Sequence, residues 1–489
     1  MNTSAMRRAV LIVLLYLLCI NNAAVYAEES INIQDIKPAA DAVAYDKAHP
    51  ENLLPEQLAA TAAVLMEAST GDIVFGKDAD ARMYPASTTK IMTALLALEY
   101  AQNNYETMDE ALSQVITCSV NVTQVDSDGT VIGLREGERI TFKDALYGML
   151  LRSGNDAAVA VAEYVAGSEA AFVEQMNEAA RLLRMSGTHF TNCHGLPDPD
   201  HYTTAHDLAL ATQAALKNST FRRIISTVRY TIPQSNIRAS INLANSNVMI
   251  DSTSAYYFSG MIGVKTGTTN DAGYCMVGAA TRNGVTLISV VLRTGLYYRW
   301  WDTEKMLSYG FTQYDSLTPE QIYSESPIDV RTIGYSMDDP NRGELTLSIR
   351  AQNPLADVRI TGPKEDVQVY KEQYRSYSTI QITSDLHAPI ARGDVIGVLT
   401  FYTPDGDAPR YDLIASRDVA LRVNAPLTIE QIAQMARDGE FLMFSWEWLA
   451  PPIAVGVAAI FILRAVFRWI RGKRRDARQI PKPRRRSYQ

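Results

Sequence analysis

The sequence predicts an α/β (α+β) domain, an antiparallel sheet with helices inserted between its strands, followed by an all-β domain and one C-terminal transmembrane helix. Three observations carry this. Apolar residues recur at three- and four-residue spacing in several stretches between residues 87 and 216, flanked by short apolar runs with turn residues near 62–77 and 260–292. From Ser326 to Val423 apolar and polar residues alternate. The run Trp448 to Leu463 holds no charged side chain.

In chain order, Arg7 and Arg8 precede an apolar core from Ala9 to Ile20 and small residues up to Ala27. That pattern is a secretory signal over residues 1–27, cut after Ala27, with an uncleaved anchor as the alternative. The mature protein is then expected outside the cytoplasm. Residues 28–55 are polar without a sustained period and read as a linker or arm. Ala62 to Glu67 and Asp72 to Lys77, around Ser69-Thr70-Gly71, read as a hairpin.

The hairpin delivers the chain to Tyr84-Pro85-Ala86-Ser87-Thr88-Thr89-Lys90 and the helical run after it. Three residues apart on a helix, Ser87 and Lys90 share a face. A serine needs a base in reach to act as a nucleophile, and an amine whose pKa is depressed by burial can serve. The helix start also offers N–H groups to a developing oxyanion.

Ile140 to Leu151 reads as an amphipathic helix that stops at Arg152-Ser153-Gly154-Asn155-Asp156, where Gly154 breaks the helix and lets Ser153 and Asn155 point into one cleft. Helices follow at Asp156 to Val165, Ala170 to Leu183 and Thr204 to Leu216. Among His189, His194, His201 and His206, the segment Asn192 to Asp200 is turn chemistry and neither five-residue pair shares a convincing helix face, so no metal or other cofactor is expected. Gly263-Val264-Lys265-Thr266-Gly267-Thr268 reads as a strand end presenting a lysine, hydroxyls and a bare glycine, which fits a carboxylate and a close ligand backbone. Gly273 to Thr281 and Val285 to Leu292, joined through Asn283-Gly284, form a second hairpin.

Ser-x-x-Lys, a Ser-x-Asn element and Lys-Thr-Gly in that order are the signature of penicillin-binding proteins and active-site-serine β-lactamases. The chain closely resembles the low-molecular-mass penicillin-binding proteins that are serine-type D-alanyl-D-alanine carboxypeptidases. The likeness spans about residues 55 to 425, including His194-Gly195-Leu196. It implies a penicillin-binding/β-lactamase-like transpeptidase fold, with peptidoglycan stem peptides ending in D-Ala-D-Ala as substrate and β-lactam antibiotics as acylating ligands. It further implies that Ser87 is acylated, Lys90 is its base, Ser153 relays a proton to the leaving amine, and Asn155 holds the substrate amide. Lys265 and Thr266 would bind the terminal carboxylate beside Gly267, and the N–H groups of Ser87 and Thr268 would form the oxyanion hole. Ser246, between Asn245 and Asn247, stands where some relatives place an arginine that assists the carboxylate. An endopeptidase acting on cross-links, a β-lactamase and a non-catalytic β-lactam or wall sensor remain as alternatives. Glu174 to Asn177 offers only a superficial match to a deacylating carboxylate.

The net charge is −8, but residues 464–489 hold eleven Lys and Arg and one Asp, a net +10, which leaves −18 for everything before them. So acidic a body repels phosphate, and nucleic-acid binding is not expected. Cys19 lies in the leader, and Cys118, Cys193 and Cys275 are odd in number and far apart, so no disulfide framework is expected. The expected division is a catalytic domain over 56–312, a β-sandwich-like spacer over 313–425, a linker helix in 426–447, a membrane span over 448–470 and a basic cytoplasmic tail over 471–489. Trp446 and Trp448 at one end of the span and Arg468, Trp469 and Arg471 at the other set that orientation, with both domains extracytoplasmic. An amphipathic helix lying on the membrane is the alternative.

Overall fold

The computed structural model describes residues 45–125, 129–404, 406–422 and 429–437. The expected leader, most of the expected arm, the apolar run 448–470 and the basic tail therefore lie outside the described residues, among which no helix is long and apolar enough to cross a membrane. The chain forms two compact units: Met1–Glu325 with Asn353–Thr379 and Thr400–Pro409, and Ser326–Gln352 with Ile380–Leu399 and Arg410–Gln489.

The first unit is built on β1 (Ala62–Glu67), β2 (Ile73–Lys77), β7 (Met261–Thr269), β8 (Gly273–Arg282) and β9 (Val285–Thr294), an antiparallel sheet in the order β2-β1-β9-β8-β7. Along β1, Ala62, Val64 and Met66 face one core while Ala63 and Leu65 face the other. Both faces are covered, which is why β1 reads as a continuous apolar run. Fully burying Val64, Leu65 or Met66 contributes about 1.5–3 kcal/mol each. The β8–β9 connection pairs Arg282 with Val285, and Asn283 and Gly284 have φ of 50° and 87°, the two positive values a type I′ turn requires.

Between β2 and β7 the chain inserts the short ribbons β3 (Val115–Thr117) with β4 (Arg139–Thr141) and β5 (Arg229–Ile232) with β6 (Ile241–Ala244). The helices there are α1 (Lys90–Asn104), α2 (Met108–Ser113), α3 (Phe142–Leu151), α4 (Asn155–Ala166), α5 (Glu169–Leu182), α6 (Ala205–Leu216) and α7 (Ser219–Ile225). Thr141, Ser168 and Thr204 cap α3, α5 and α6 by accepting a backbone N–H of the first turn. Ile140 and Thr141 were expected inside a helix and instead form β4. Ile140 pairs with Ile116 across the ribbon, and Thr141 leaves helical φ/ψ in order to cap α3. Helix α6 packs on β1 and β9 from one side, and α8 (Tyr298–Gln313) packs on β8 and β9 with Trp300, Met306 and Leu307 in the opposite core.

The sequence-based division at 312/313 falls in the last turn of α8, and contacts keep the chain with the first unit through β10 (Tyr314–Leu317) and α9 (Pro319–Glu325). The rest of the expected all-β region holds β11 (Asp329–Arg331), β12 (Glu344–Ala351), β13 (Ile360–Pro363), α10 (Lys364–Glu372), β14 (Ser378–Ile382), β15 (Val395–Phe401) and β16 (Arg410–Ala415). One expectation fails here. Val367-Gln368-Val369-Tyr370, read as alternating strand, is helical: Val367 and Tyr370, three apart, are buried while Val369 is exposed. Glu365 and Asp366 in its first turn suit the positive end of the helix dipole. In the second unit the strands form a five-stranded sheet, β11-β12-β16-β15-β14, with isolated bridges Ile333–His387, Tyr335–Leu421 and Ile390–Val419 besides it, while β13 pairs with β10 in the first unit. A last helix, α11, covers Ile429–Arg437, inside the expected linker helix region.

Candidate active site

Ser87 lies in a 3-10 turn, Ala86–Thr89, that runs directly into α1. The turn is entered through Ala86 at φ 49°, a left-handed conformation that costs a non-glycine residue about 1–3 kcal/mol. Lys90 then opens α1 with its side chain fully buried. Its Nζ lies 3.0 Å from Ser87 Oγ, 2.6 Å from Asn155 Oδ1 and 2.6 Å from the His194 carbonyl oxygen. As an ammonium it donates to all three. As a neutral amine it donates two hydrogens to the two carbonyl oxygens and keeps its lone pair for the Ser87 hydroxyl. Burial lowers its pKa from the ordinary 10.5 to about 7, against a smaller upward pull from Cys193 and Asp156.

The break between α3 and α4 is made by Ser153 rather than by the expected Gly154: Ser153 sits at φ 68°, while Gly154 keeps φ −59° as the cap of α4. Asn155 is the first residue of α4 and its carbonyl is taken by Lys90, which leaves only its Nδ2 for a ligand. Ser153 is 9% exposed, and its hydroxyl is not among the partners of Lys90 Nζ. Asp156, one position on, is consumed structurally. It accepts the backbone N–H groups of Ile132, Gly133, Leu134 and Ala157, pinning the 132–134 loop beside this break.

Strand β7 supplies the third side. It is the last strand of its sheet, and Gly267 brings its backbone against the Ser87 turn: a Cβ there would lie 3.0 Å from the Pro85 carbonyl oxygen and 3.2 Å from Ser87 N. Lys265, 1% exposed, donates to the Thr266 carbonyl at 2.8 Å. Its pKa falls well below 10.5 through burial, then through repulsion from Lys90 and Arg299. The Thr266 hydroxyl donates to Ser246 Oγ at 2.7 Å, so the serine at the departing position completes a hydroxyl pair at the pocket.

The cation that sequence reading missed is Arg299, in the first turn of α8. Its Nη1 donates to Thr268 Oγ1 at 3.4 Å, its guanidinium lies 4.3 Å and 5.1 Å from the Trp300 and Tyr274 ring centres, and its Nε is buried without a partner. The signal available was one arginine inside the aromatic run Tyr297-Tyr298-Arg299-Trp300-Trp301.

The four histidines do not converge. His201 meets Thr89 Oγ1 at 2.9 Å, His206 meets Asp80, His189 meets the Asp200 carbonyl, and His194 faces Glu169 at 3.6 Å. Burial lowers His194 and His201 to about 3, so both stay neutral at ordinary pH. Cys118, Cys193 and Cys275 are buried free thiols. Glu174 is exposed on α5, and Asn177 bonds the Phe190 backbone.

Residues 47–295 match the family described as D-alanyl-D-alanine carboxypeptidase. The D-alanyl-D-alanine carboxypeptidase DacF of Bacillus subtilis is 31% identical over 360 residues, covering 73% of this chain and 85% of that protein. The chain belongs to the D-alanyl-D-alanine carboxypeptidase family. A second family member, the D-alanyl-D-alanine carboxypeptidase of Streptomyces sp. strain K15, is 37% identical over 268 residues, covering 52% of this chain and 88% of that protein. Among solved structures, penicillin binding protein 5 from Haemophilus influenzae aligns with a TM-score of 0.50 at 28% identity, over 76% of this chain and all of that one. The transpeptidase-like fold expected from the three motifs is therefore the fold of this family.

Proposed function

We propose that the chain is a serine-type D-Ala-D-Ala carboxypeptidase that removes the terminal D-alanine from peptidoglycan pentapeptide stems through an acyl-enzyme on Ser87, and that penicillin acylates the same serine. The observation that carries this reading is the buried amine of Lys90, 3.0 Å from Ser87 Oγ and with its pKa lowered to about 7. At that pKa a large fraction of the amine is neutral at physiological pH, which is the state a general base requires.

In this reading the stem peptide lies along the open edge of β7 as an added strand. Its terminal carboxylate meets Lys265, Thr266 and Thr268, with the positive charge of Arg299 behind Thr268 Oγ1. Two buried amines cannot both be charged cheaply. A carboxylate beside Lys265 gives that lysine a counter-charge and leaves Lys90 as the amine that stays neutral. Lys90 takes the Ser87 proton as Oγ attacks the D-alanine carbonyl, and the N–H groups of Ser87 and Thr268 hold the oxyanion. The proton taken by Lys90 passes through the Ser153 hydroxyl to the departing amine, and water then hydrolyses the ester. Asn155 fixes Lys90 through its carbonyl and offers Nδ2 to the substrate amide. All these residues fall within 56–312, the catalytic domain of this reading, and 313–425 then serves as a spacer.

The carboxylates at these elements do not supply a second base for an opened β-lactam. Asp156 is committed to backbone N–H groups, and Glu169 to Cys193 N at 3.0 Å. A fluorescent penicillin is therefore expected to label the protein stably, Ser87→Ala to abolish labelling, and a peptide ending in D-Ala-D-Ala to yield free D-alanine catalytically. Rapid multiple turnover of penicillin would make the protein a β-lactamase. Labelling without D-alanine release would leave a sensor.

The topology rests on sequence: export by residues 1–27, both folded units outside, a span over 448–470 and a cytoplasmic tail over 471–489. A protease added to intact cells should spare only the tail. Release of the whole protein by alkaline carbonate would favour an interfacial helix.

A further inference from the structure

A cleft of ≈750 Å³ opens in the first unit between the β1–β2 turn, β13 with α10, and the segments carrying Tyr377 and Tyr402. None of the residues around Ser87 lines it. Its volume falls in the range of small-molecule sites.

One wall is aromatic and rigid. The rings of Tyr370 and Tyr377 are parallel within 8° at 5.0 Å. The Tyr370 hydroxyl donates to the Tyr402 carbonyl at 2.8 Å, Tyr402 N donates to the Tyr377 carbonyl at 2.8 Å, and the Tyr402 hydroxyl accepts from Thr379 at 2.9 Å. Yet Tyr377 is 41% and Tyr402 50% exposed. Rings already fixed in place lose little conformational entropy when a ligand covers them.

The polar groups select the ligand further. Asp72 and Asp366 line the cleft with the Thr361 hydroxyl, and no Lys, Arg or His does, among the described residues. Two carboxylates without a cation repel phosphates and the carboxylates of a stem peptide. A quaternary amine wants several rings converging on one point, whereas here the buried Tyr370 ring backs the half-exposed Tyr377 ring in parallel, so that Tyr377 presents one flat face. A flat aromatic face beside hydroxyl-accepting carboxylates suits a pyranose, whose C–H face is apolar and whose rim is hydroxyls.

We propose that this cleft binds a neutral oligosaccharide, and that in the cell wall its ligand is the glycan backbone carrying the stems. Only the naming of that glycan rests on the carboxypeptidase reading. The test is calorimetric titration of the full-length protein with the N-acetylglucosamine tetramer. Tyr377→Ala and Asp366→Asn should each weaken binding at least tenfold, while Tyr377→Phe, which keeps the ring, should bind as the wild type does. D-alanine release from a soluble pentapeptide should be unchanged in all three, so that loss of folding and failure of the catalytic reading are read separately. No binding by the wild type at millimolar tetramer, equal binding by Tyr377→Ala, or a stronger response to tetramethylammonium than to the tetramer would overturn the proposal.

Discussion

Replacing Lys90 by methionine keeps an unbranched side chain, one atom shorter, and removes its charge, which isolates what burial of the amine costs. The wild-type pKa falls from 10.5 to about 7, chiefly by desolvation. A shift of that size corresponds to about 5 kcal/mol between the charged and neutral forms. The sign follows from proton counts. Between about pH 7 and 10.5 the unfolded chain holds a proton on Lys90 that the folded protein has released, so stability rises with pH across that window, by about 1.4 kcal/mol per unit, and is flat below it. Lys90→Met lacks this dependence, although it leaves the Asn155 and His194 carbonyls without their donor at about 1–3 kcal/mol each. Urea unfolding at pH 7.5 and 9.5 should therefore show the wild type gaining roughly 2–3 kcal/mol relative to Lys90→Met, with the mutant inactive at both. Titrating groups remote from Lys90 cancel in the difference, whereas Lys265, whose pKa Lys90 lowers, adds a smaller contribution of its own. In the wild type, the rate of penicillin acylation should rise with pH through a midpoint near 7. Parallel stability profiles for the two proteins, or an acylation rate flat from pH 6 to 8, would refute the claim that a desolvated Lys90 is the base.

Gly267→Ala places a Cβ 3.0–3.2 Å from Pro85 O and Ser87 N, so β7 must retreat from the Ser87 turn. Acylation by penicillin should slow about 10–100-fold with little change in melting temperature, since misplacement of a few tenths of an ångström to an ångström acts on geometry rather than on the core. A melting temperature that collapses together with activity would show that the contact is structural instead. Arg299→Ala removes a charged hydrogen-bond donor worth about 1.5–3 kcal/mol. The ratio kcat/KM should fall about 10–100-fold for a peptide ending in a free carboxylate and far less for its C-terminal amide. Equal losses for both peptides would exclude a carboxylate role.

Much of this molecule is decided by local chemistry that a sequence displays. Thr141, Ser168 and Thr204 cap helices because a short oxygen-bearing side chain before an apolar period satisfies first-turn N–H groups wherever it occurs. Asn283-Gly284 sets a hairpin because both residues tolerate positive φ. Ser87 and Lys90 were legible as a pair because helical spacing alone puts them on one face, and the motif order brought in Ser153, Asn155 and Lys265 as the chemistry that pair requires.

What depends on a partner far away in sequence was not legible. Arg299 reaches Thr268 only because α8 packs across β8 and β9, and Ser246 meets Thr266 across a separation of twenty residues. The local pattern at Val367 to Tyr370 fits strand and helix equally, and the choice was made by which side chains found a core. Most of all, sequence could propose Lys90 as a base but could not supply its pKa. That value is set by complete removal from water, and desolvation depends on every residue packed around the amine, which only the tertiary structure decides.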